Sequence, residues 1–268
     1  MRYLLTCVIL ACVFSANAQN ENDHWEAYLA QYDDGVGSTT VNMTLRTKPA
    51  FQAHRFLLIA GVGFTNCKEG FPLDSEFGKL HAISDSVFTQ VKKLSGNAIH
   101  AGSFTQNCER LEYIYVKDTA GLRSQLTTLY QKRFPRYKPV IKIREDKAWE
   151  AYHKFLYPNE ETMDYISNSK VVLKLQAAGD KLTKPRTIDH WLYFKTDNDR
   201  NLFIVYAQQN QFTVAGKGKV DGLHAFSLHL TKTGTAELDA ISHTTLQLKR
   251  EAEKHNGLYD GWESVVVK

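Results

Sequence analysis

The sequence predicts an α+β protein of two domains, each a β-sheet layered with helices. Segments with the two-residue period of a strand alternate with segments of helical spacing along 268 residues, a length that suits two domains. After residue 185 these segments follow the order strand, helix, strand, strand, helix, strand. A hydrophobic content of 43% and a charged content of 23% are typical of globular domains.

The N-terminus predicts export. Arg2 precedes a short apolar run, Tyr3–Phe14, and small residues fill positions 15–18. This pattern is typical of a secretory signal peptide, residues 1–18, cleaved after Ala18, which predicts a secreted or periplasmic protein. The alternative is a lipoprotein cut before Cys12. No later segment is long and apolar enough to predict a transmembrane helix.

Two cysteines, Cys67 and Cys108, remain after cleavage. In an exported chain such a pair predicts one disulfide, with two independent thiols as the alternative. The two cysteines lack the ligand spacing of a metal site. The formal net charge of +4 is mild, and the small basic spot at Lys217 and Lys219 is interpreted as a solvated turn, so no strong nucleic-acid signal is present.

The first predicted domain covers residues 19–158. Helical spacing is clear in Leu80, Ile83 and Val87, while Phe56–Phe64 is the most apolar run and predicts a central strand. We expect a mixed or antiparallel sheet with helices on one face. The predicted strands are Trp25–Gln31, Ser38–Leu45, Phe56–Phe64, Ile99–Phe104, Arg110–Val116 and Tyr137–Ile143, and the predicted helices are Asp74–Leu94, Thr119–Arg133 and Lys147–Tyr157.

A helical segment and linker are predicted at residues 159–185. Glu160–Ala178 has helical spacing, Gly179 suits the helix C-terminus, and Asp180–Pro185 reads as linker.

The second domain, residues 186–268, is predicted to be ferredoxin-like. Its elements have the order βαββαβ, and Asp221-Gly222 predicts the hairpin turn between the two middle strands. The predicted strands are Arg186–Lys195, Gln211–Val220, Leu223–Thr231 and Tyr259–Val267, and the predicted helices are Asn198–Asn210 and Thr235–His255.

Two motifs carry a family resemblance in this second domain. Arg186, His190 and Phe194 form R-x-x-x-H-x-x-x-F at its start, and Tyr259-Asp260-Gly261-Trp262 closes it after a charged helix. With the strand order, these motifs resemble the RraB family, regulators of ribonuclease E activity. The resemblance implies a non-enzymatic, protein-binding regulator.

The N-terminal domain is similar to the DUF695 family. The matching features are Trp25-x-x-Tyr28, the strand Phe56–Gly63, and the segment from Trp149 to Pro158. DUF695 domains occur joined to RraB-like ones, so each assignment supports the other. This resemblance implies no activity.

Five residues of the second domain are candidate contacts for a protein partner: Arg186, His190, Tyr259, Asp260 and Trp262. His190 is interpreted either as facing a pocket or as a buried histidine with a satisfied hydrogen bond. Asp260 either faces a ligand or fixes a turn before Gly261.

No catalytic, cofactor or metal motif is recognised. Gly61-Val62-Gly63 lacks the spacing of a dinucleotide site, and His224 and His229, five apart on one predicted strand, should point to opposite faces. We therefore expect a non-catalytic exported binding or regulatory protein whose partner and oligomeric state the sequence does not identify. The alternatives are a cytoplasmic regulator of ribonuclease E, if the N-terminus is not a signal, and an enzyme with an interdomain site.

Overall fold

The computed structural model describes residues 23–47 and 53–268. The proposed signal peptide and the alternative cleavage at Cys12 lie outside the described residues. The chain divides after Tyr157 into two compact units. Among the helices of the described residues, none is long and apolar enough to cross a membrane.

The first unit is built on a six-stranded sheet in the order β1-β2-β6-β7-β3-β8, and every neighbouring pair is antiparallel. The residues that follow β3 along the chain form a separate two-stranded sheet, β4-β5. The strands are β1 (Trp25–Tyr32), β2 (Gly35–Asn42), β3 (Phe56–Gly63), β4 (Cys67–Lys68), β5 (Phe71–Pro72), β6 (Ile99–Gln106), β7 (Glu109–Val116) and β8 (Lys138–Glu145).

Two helices, α1 (Asp74–Ser95) and α2 (Leu122–Arg133), cover one face of this sheet. Alternate residues of β3 and β7, including Leu58, Val62 and Ile114, pack against them in a fully buried core. The predicted sheet layered with helices is therefore confirmed, and its six strands are antiparallel throughout. Helices α1 and α2 share one face as expected, and a further short helix lies on the other face.

The opposite face of the sheet carries aromatic residues under a short π-helix, Ala151–Leu156. The sequence predicted an ordinary helix at Lys147–Tyr157. The difference arises at Asp146, whose carboxylate accepts hydrogen bonds from the Tyr115 hydroxyl (2.7 Å) and the amides of residues 150 and 151. Trp149, buried and at φ 54°, stacks on Tyr115 with 3.7 Å between ring centroids.

The predicted strand Ser38–Leu45 is shorter than expected. It ends at Asn42, whose side chain accepts a hydrogen bond from the Thr44 amide and caps a 3-10 helix, Met43–Arg46. Met43 and Leu45 are buried from that helix and not from the strand. Apolar residues at every second position are compatible with a strand and with this short helix, and the cap formed by Asn42 selects the helix.

The predicted disulfide joins Cys67 of β4 to Cys108, which lies in the turn between β6 and β7, with 5.9 Å between the Cα atoms. It ties the two-stranded sheet to the main one across 41 positions of sequence.

The second unit is a four-stranded antiparallel sheet in the order β10-β11-β9-β12. The first of its four strands in sequence, β9, lies beside the third and the fourth, as the βαββαβ prediction of a ferredoxin-like fold requires. The elements are α3 (Glu160–Ala177), β9 (Arg186–Phe194), α4 (Asp197–Gln209), β10 (Thr213–Lys219), β11 (Phe226–Gly234), α5 (Leu238–Lys254) and β12 (Gly257–Ser264).

Helices α4 and α5 pack on the sheet face formed by Leu192 and Phe194 of β9 and Leu228 of β11. Helix α3, which the sequence set apart with the linker, belongs to this second unit. It is bound through Asn168, whose side chain accepts a hydrogen bond from Trp262 Nε1 (2.8 Å) and donates one to Thr245 of α5 (2.9 Å). All three helices therefore lie on the same side of the sheet.

Candidate functional site

The Tyr259-Asp260-Gly261-Trp262 motif lies inside strand β12 and makes no turn. The register with β9 shifts between Tyr259 and Gly261, so Asp260 is the extra residue of a β-bulge. Gly261 has φ 155°, and Asp260 is exposed. The expected turn at Asp260 is therefore corrected to a bulge, which bends an edge strand and redirects one side chain.

His190, which is buried, and Tyr259, which is partly exposed, form a pair on the helix side of the sheet. His190 is 1% exposed, and its Nδ1 lies 2.9 Å from the Tyr259 hydroxyl. Burial lowers the pKa of His190 to about 4, and burial also raises the pKa of Tyr259 far above its usual range. The interpretation of His190 as a buried histidine with a satisfied hydrogen bond agrees with this geometry.

Arg186 is also buried. It forms an ion pair with Asp180, and both side chains are almost fully inaccessible. The same carboxylate accepts hydrogen bonds from the amides of Leu182 and Val267, each at 2.7 Å. The hydrogen bond from Arg186 lowers the pKa of Asp180 well below its ordinary value. Asp180, paired with Arg186, thus holds the segment before β9 to the residues after β12.

Of the five candidate contacts, Asp260 is exposed, Tyr259 and Trp262 are partly exposed, and Arg186 and His190 are buried. Trp262 faces the helix side, because it pairs with His190 across the sheet. The five residues therefore do not converge on one surface. A role for each of them in partner binding stays a prediction.

The sheet face opposite the helices carries a second set of side chains from β9 and β11. Trp191 stacks on His229 with 4.4 Å between ring centroids and 19° between planes. Their Cα atoms are register partners, so both point to this open face. His229 Nε2 lies 2.7 Å from Asp189 Oδ1, which fixes the imidazole, and all three side chains are partly exposed. Together with Tyr193, these residues are called the open face below.

The open face ends in a groove of about 490 Å³. Tyr193 of β9 and Leu258 of β12, which are register partners, line it together with the β10–β11 loop. His224 also lines the groove; it lies in that loop, before β11, so the expectation that His224 and His229 share a strand is wrong. The loop is longer than the predicted two-residue turn, since β11 begins at Phe226.

The open face was not among the candidate sites from the sequence, although the strand alternation was visible. Residues 188, 190, 192 and 194 are buried, whereas 189, 191 and 193 are partly exposed. Since Trp191 and Tyr193 are large and amphipathic, the sequence could not show which alternate set the helices cover. One signal in the sequence distinguishes the two sets: an acidic residue, Asp189, lies in the set with Trp191 and Tyr193 and indicates that this set is the more exposed one.

A polar cluster in the first unit surrounds the buried carboxylate of Glu112. Glu112, 2% exposed, accepts hydrogen bonds from the Ser84 hydroxyl and Arg110 and lies 2.8 Å from His100 Nε2. Burial raises the pKa of Glu112, but Arg110, His100 and Ser84 outweigh it and hold the pKa at about 2. Ser84 bonds the carboxylate and not the imidazole, so the geometry lacks the serine–histidine pair of a nucleophilic triad. In the described ranges no group of three or more His, Cys, Asp or Glu side chains could hold a metal ion.

Comparison with known proteins agrees with the two-unit fold. The model of the family of unknown function DUF695 matches residues 23–157, half of the chain. The chain belongs to the DUF695 family. Residues 165–264 match the family model described as regulator of ribonuclease activity B, which makes this a DUF695 domain joined to an RraB-like domain. The RraB match begins within α3, in line with the packing of that helix on the second unit.

No curated protein matches the chain. Two solved structures each cover 79% of it with a TM-score of 0.21. One is an unknown protein from Galdieria sulphuraria, at 10% identity over 99% of that chain, and the other is a proposed glycine cleavage system transcriptional repressor, at 11% identity over 98% of that chain. Scores this low carry no argument about fold or function.

Proposed function

We propose that this DUF695–RraB protein is an exported, non-catalytic regulator that binds a protein partner on the open face of its RraB-like domain. The observation that carries the proposal is the Trp191–His229 stack beside Tyr193, on the side of the sheet that the three helices leave open. Tryptophan and tyrosine supply large contact area with few rotatable bonds and dominate binding energy at protein interfaces.

The charge of the open face favours protein over nucleic acid as the partner. Asp189 and Glu263 are register partners on this face, which gives it carboxylates. The strand lysines lie on the helix side: Lys219 pairs with Phe226 and has its Nζ 5.0 Å from the centroid of that ring. A surface that binds single-stranded nucleic acid combines aromatic rings with basic residues, and carboxylates in that place repel phosphate.

The proposed export rests on two independent features. Residues 1–18 have the composition of a signal peptide. The Cys67–Cys108 disulfide is compatible with an oxidising compartment. Intact-mass measurement of the native protein tests this directly. A mature chain that begins at Gln19 is expected, and a chain that begins at Met1 would refute export.

The binding role is tested with a Trp191→Ala variant and a matched control, Leu202→Ala. Leu202 is 50% exposed on α4, on the helix side of the same unit. Partners captured from the native compartment are identified, purified and titrated by calorimetry against each form. We expect loss of Trp191 to weaken binding by roughly thirtyfold or more, as for an interface hot spot, and loss of Leu202 to leave it unchanged. Equal affinities of both variants would refute binding on the open face.

A further inference from the structure

We propose that the groove at the end of the open face binds a lysine or arginine side chain of the partner, held in a segment that is both basic and apolar. This inference rests on the protein-binding role proposed above and adds the chemistry of the partner. It is carried by the apolar residues that line the groove, by a tyrosine ring within it, and by two carboxylates that also line it.

Three aliphatic side chains line the groove and are unusually exposed: Leu223 at 75%, Leu258 at 51% and Val220 at 44%. Exposed apolar groups gathered in one concave place mark a binding surface more reliably than the same groups scattered singly. The methylene stem of a lysine or arginine packs well on such a wall while its charged end stays in a polar environment.

The charged end has a matching environment in the same groove. Asp221 and Asp260 both line it, both are exposed, and neither is ion-paired with a residue that the structure describes. Two other carboxylates of this unit are paired: Asp164 binds Lys249 at 2.7 Å and Asp197 binds Arg200.

A cation is therefore the complementary occupant. The Tyr193 ring offers a cation–π surface, and two carboxylates accept the several N–H donors of a guanidinium. The β-bulge contributes here. Asp260 is the extra residue of β12, and the bulge directs its side chain into the lining of the groove. An acidic peptide or a phosphate group would meet like charge in this position.

The test uses the full chain and two fluorescent twelve-residue peptides of alternating leucine with either arginine or citrulline. Citrulline keeps the shape of arginine without its charge. Anisotropy titrations compare wild type with Asp221→Asn/Asp260→Asn, a pair that keeps the Asx-Gly turn and bulge chemistry. The control, Asp239→Asn/Glu253→Gln, removes the same charge from exposed positions of α5.

We expect the arginine peptide to bind about tenfold more tightly than the citrulline peptide, which is the effect of two partly screened ion pairs. The groove double variant should abolish that preference, and the α5 variant should preserve it. Added salt should weaken arginine binding alone.

The two proposals fail in different ways. Equal binding of both peptides by wild type, with loss of both in Trp191→Ala, overturns the cation site and leaves the protein-binding face in place. Binding of neither peptide at millimolar concentration overturns the cation site, while partner capture through Trp191 still tests the binding role separately. Tighter binding of an oligouridylate than of either peptide overturns both proposals.

Discussion

His190 should make the stability of the second unit depend on pH between about 6.5 and 4. The imidazole is 1% exposed, hydrogen-bonded to Tyr259 and in edge contact with Phe212, whose ring centroid lies 5.7 Å away. Burial is the largest cause of the lowered pKa; Lys232 and His229 lower it further, and Asp189 opposes them. The folded protein thus holds a neutral histidine that the unfolded chain protonates readily.

The magnitude follows from the two pKa values. His190 titrates near 6.5 in its ordinary state and at about 4 in the fold. As pH falls below 6.5 the unfolded chain takes up the proton first, so the stability present above 6.5 is lost progressively and the loss is complete below 4. With 1.36 kcal/mol for each pKa unit, the loss between pH 7 and pH 4 is about 3 kcal/mol.

The assay measures urea denaturation of wild type and His190→Asn at pH 7, 6, 5 and 4.5. Asparagine keeps a polar atom near the position of Nδ1 and does not titrate. When the unfolding free energy of the variant is subtracted from that of wild type, the contributions of the other titrating groups cancel. This difference should shrink by about 2.5 kcal/mol between pH 7 and 4.5. The control, His243→Asn, removes an exposed histidine and should show no such trend. A His190→Asn difference that stays constant over this range would refute the reasoning.

Three further changes should lower the stability of the protein by amounts that follow from the contacts they remove or create. Replacing Cys67 and Cys108 by serine opens a cross-link across 41 positions and should lower the urea stability of the first unit by up to about 4 kcal/mol; an unchanged midpoint would contradict this. Gly61→Ala would place its Cβ 2.0 Å from a backbone carbonyl oxygen of β7. Expression and thermal melting should therefore show a loss of stability above about 3 kcal/mol. The control, Gly63→Ala, has its nearest contact at 3.7 Å and should melt near wild type. Trp262→Phe removes the hydrogen bond to α3 and should cost about 1–2 kcal/mol, seen as faster amide exchange in that helix but not in α4.

The fold of the second unit was predictable because its strands and helices have regular hydrophobic patterns. Strand β9 alternates between buried and less buried residues over its whole length, and α4 begins at a polar cap, Thr196. Each element then needs a partner for its apolar side, and the order βαββαβ leaves few ways to supply one. Local pattern and overall topology agree in this region, which is why the prediction is confirmed.

The predictions that failed were those in which one local preference suits two geometries. Asp-Gly suits a hairpin turn, and the same freedom of glycine and aspartate suits the bulge at Gly261. The difference is set by whether β12 continues along β9, a long-range pairing that four residues do not encode. The π-helix at Ala151–Leu156 is similar, since it depends on Asp146 and Tyr115 meeting across the fold.

The charge of the chain illustrates the same limit for function. A net charge of +4 is a sum over 268 residues, and it suggested neither an acidic nor a basic partner. Strand register separates the charges: it places Lys219 on the helix side of the sheet and sets Asp189 beside Glu263 on the other. A partner meets one face and not the sum, so the two carboxylates of the open face matter more for binding than the net charge does. The partner it selects should therefore be basic where it touches this sheet, whatever the net charge of the whole chain suggests.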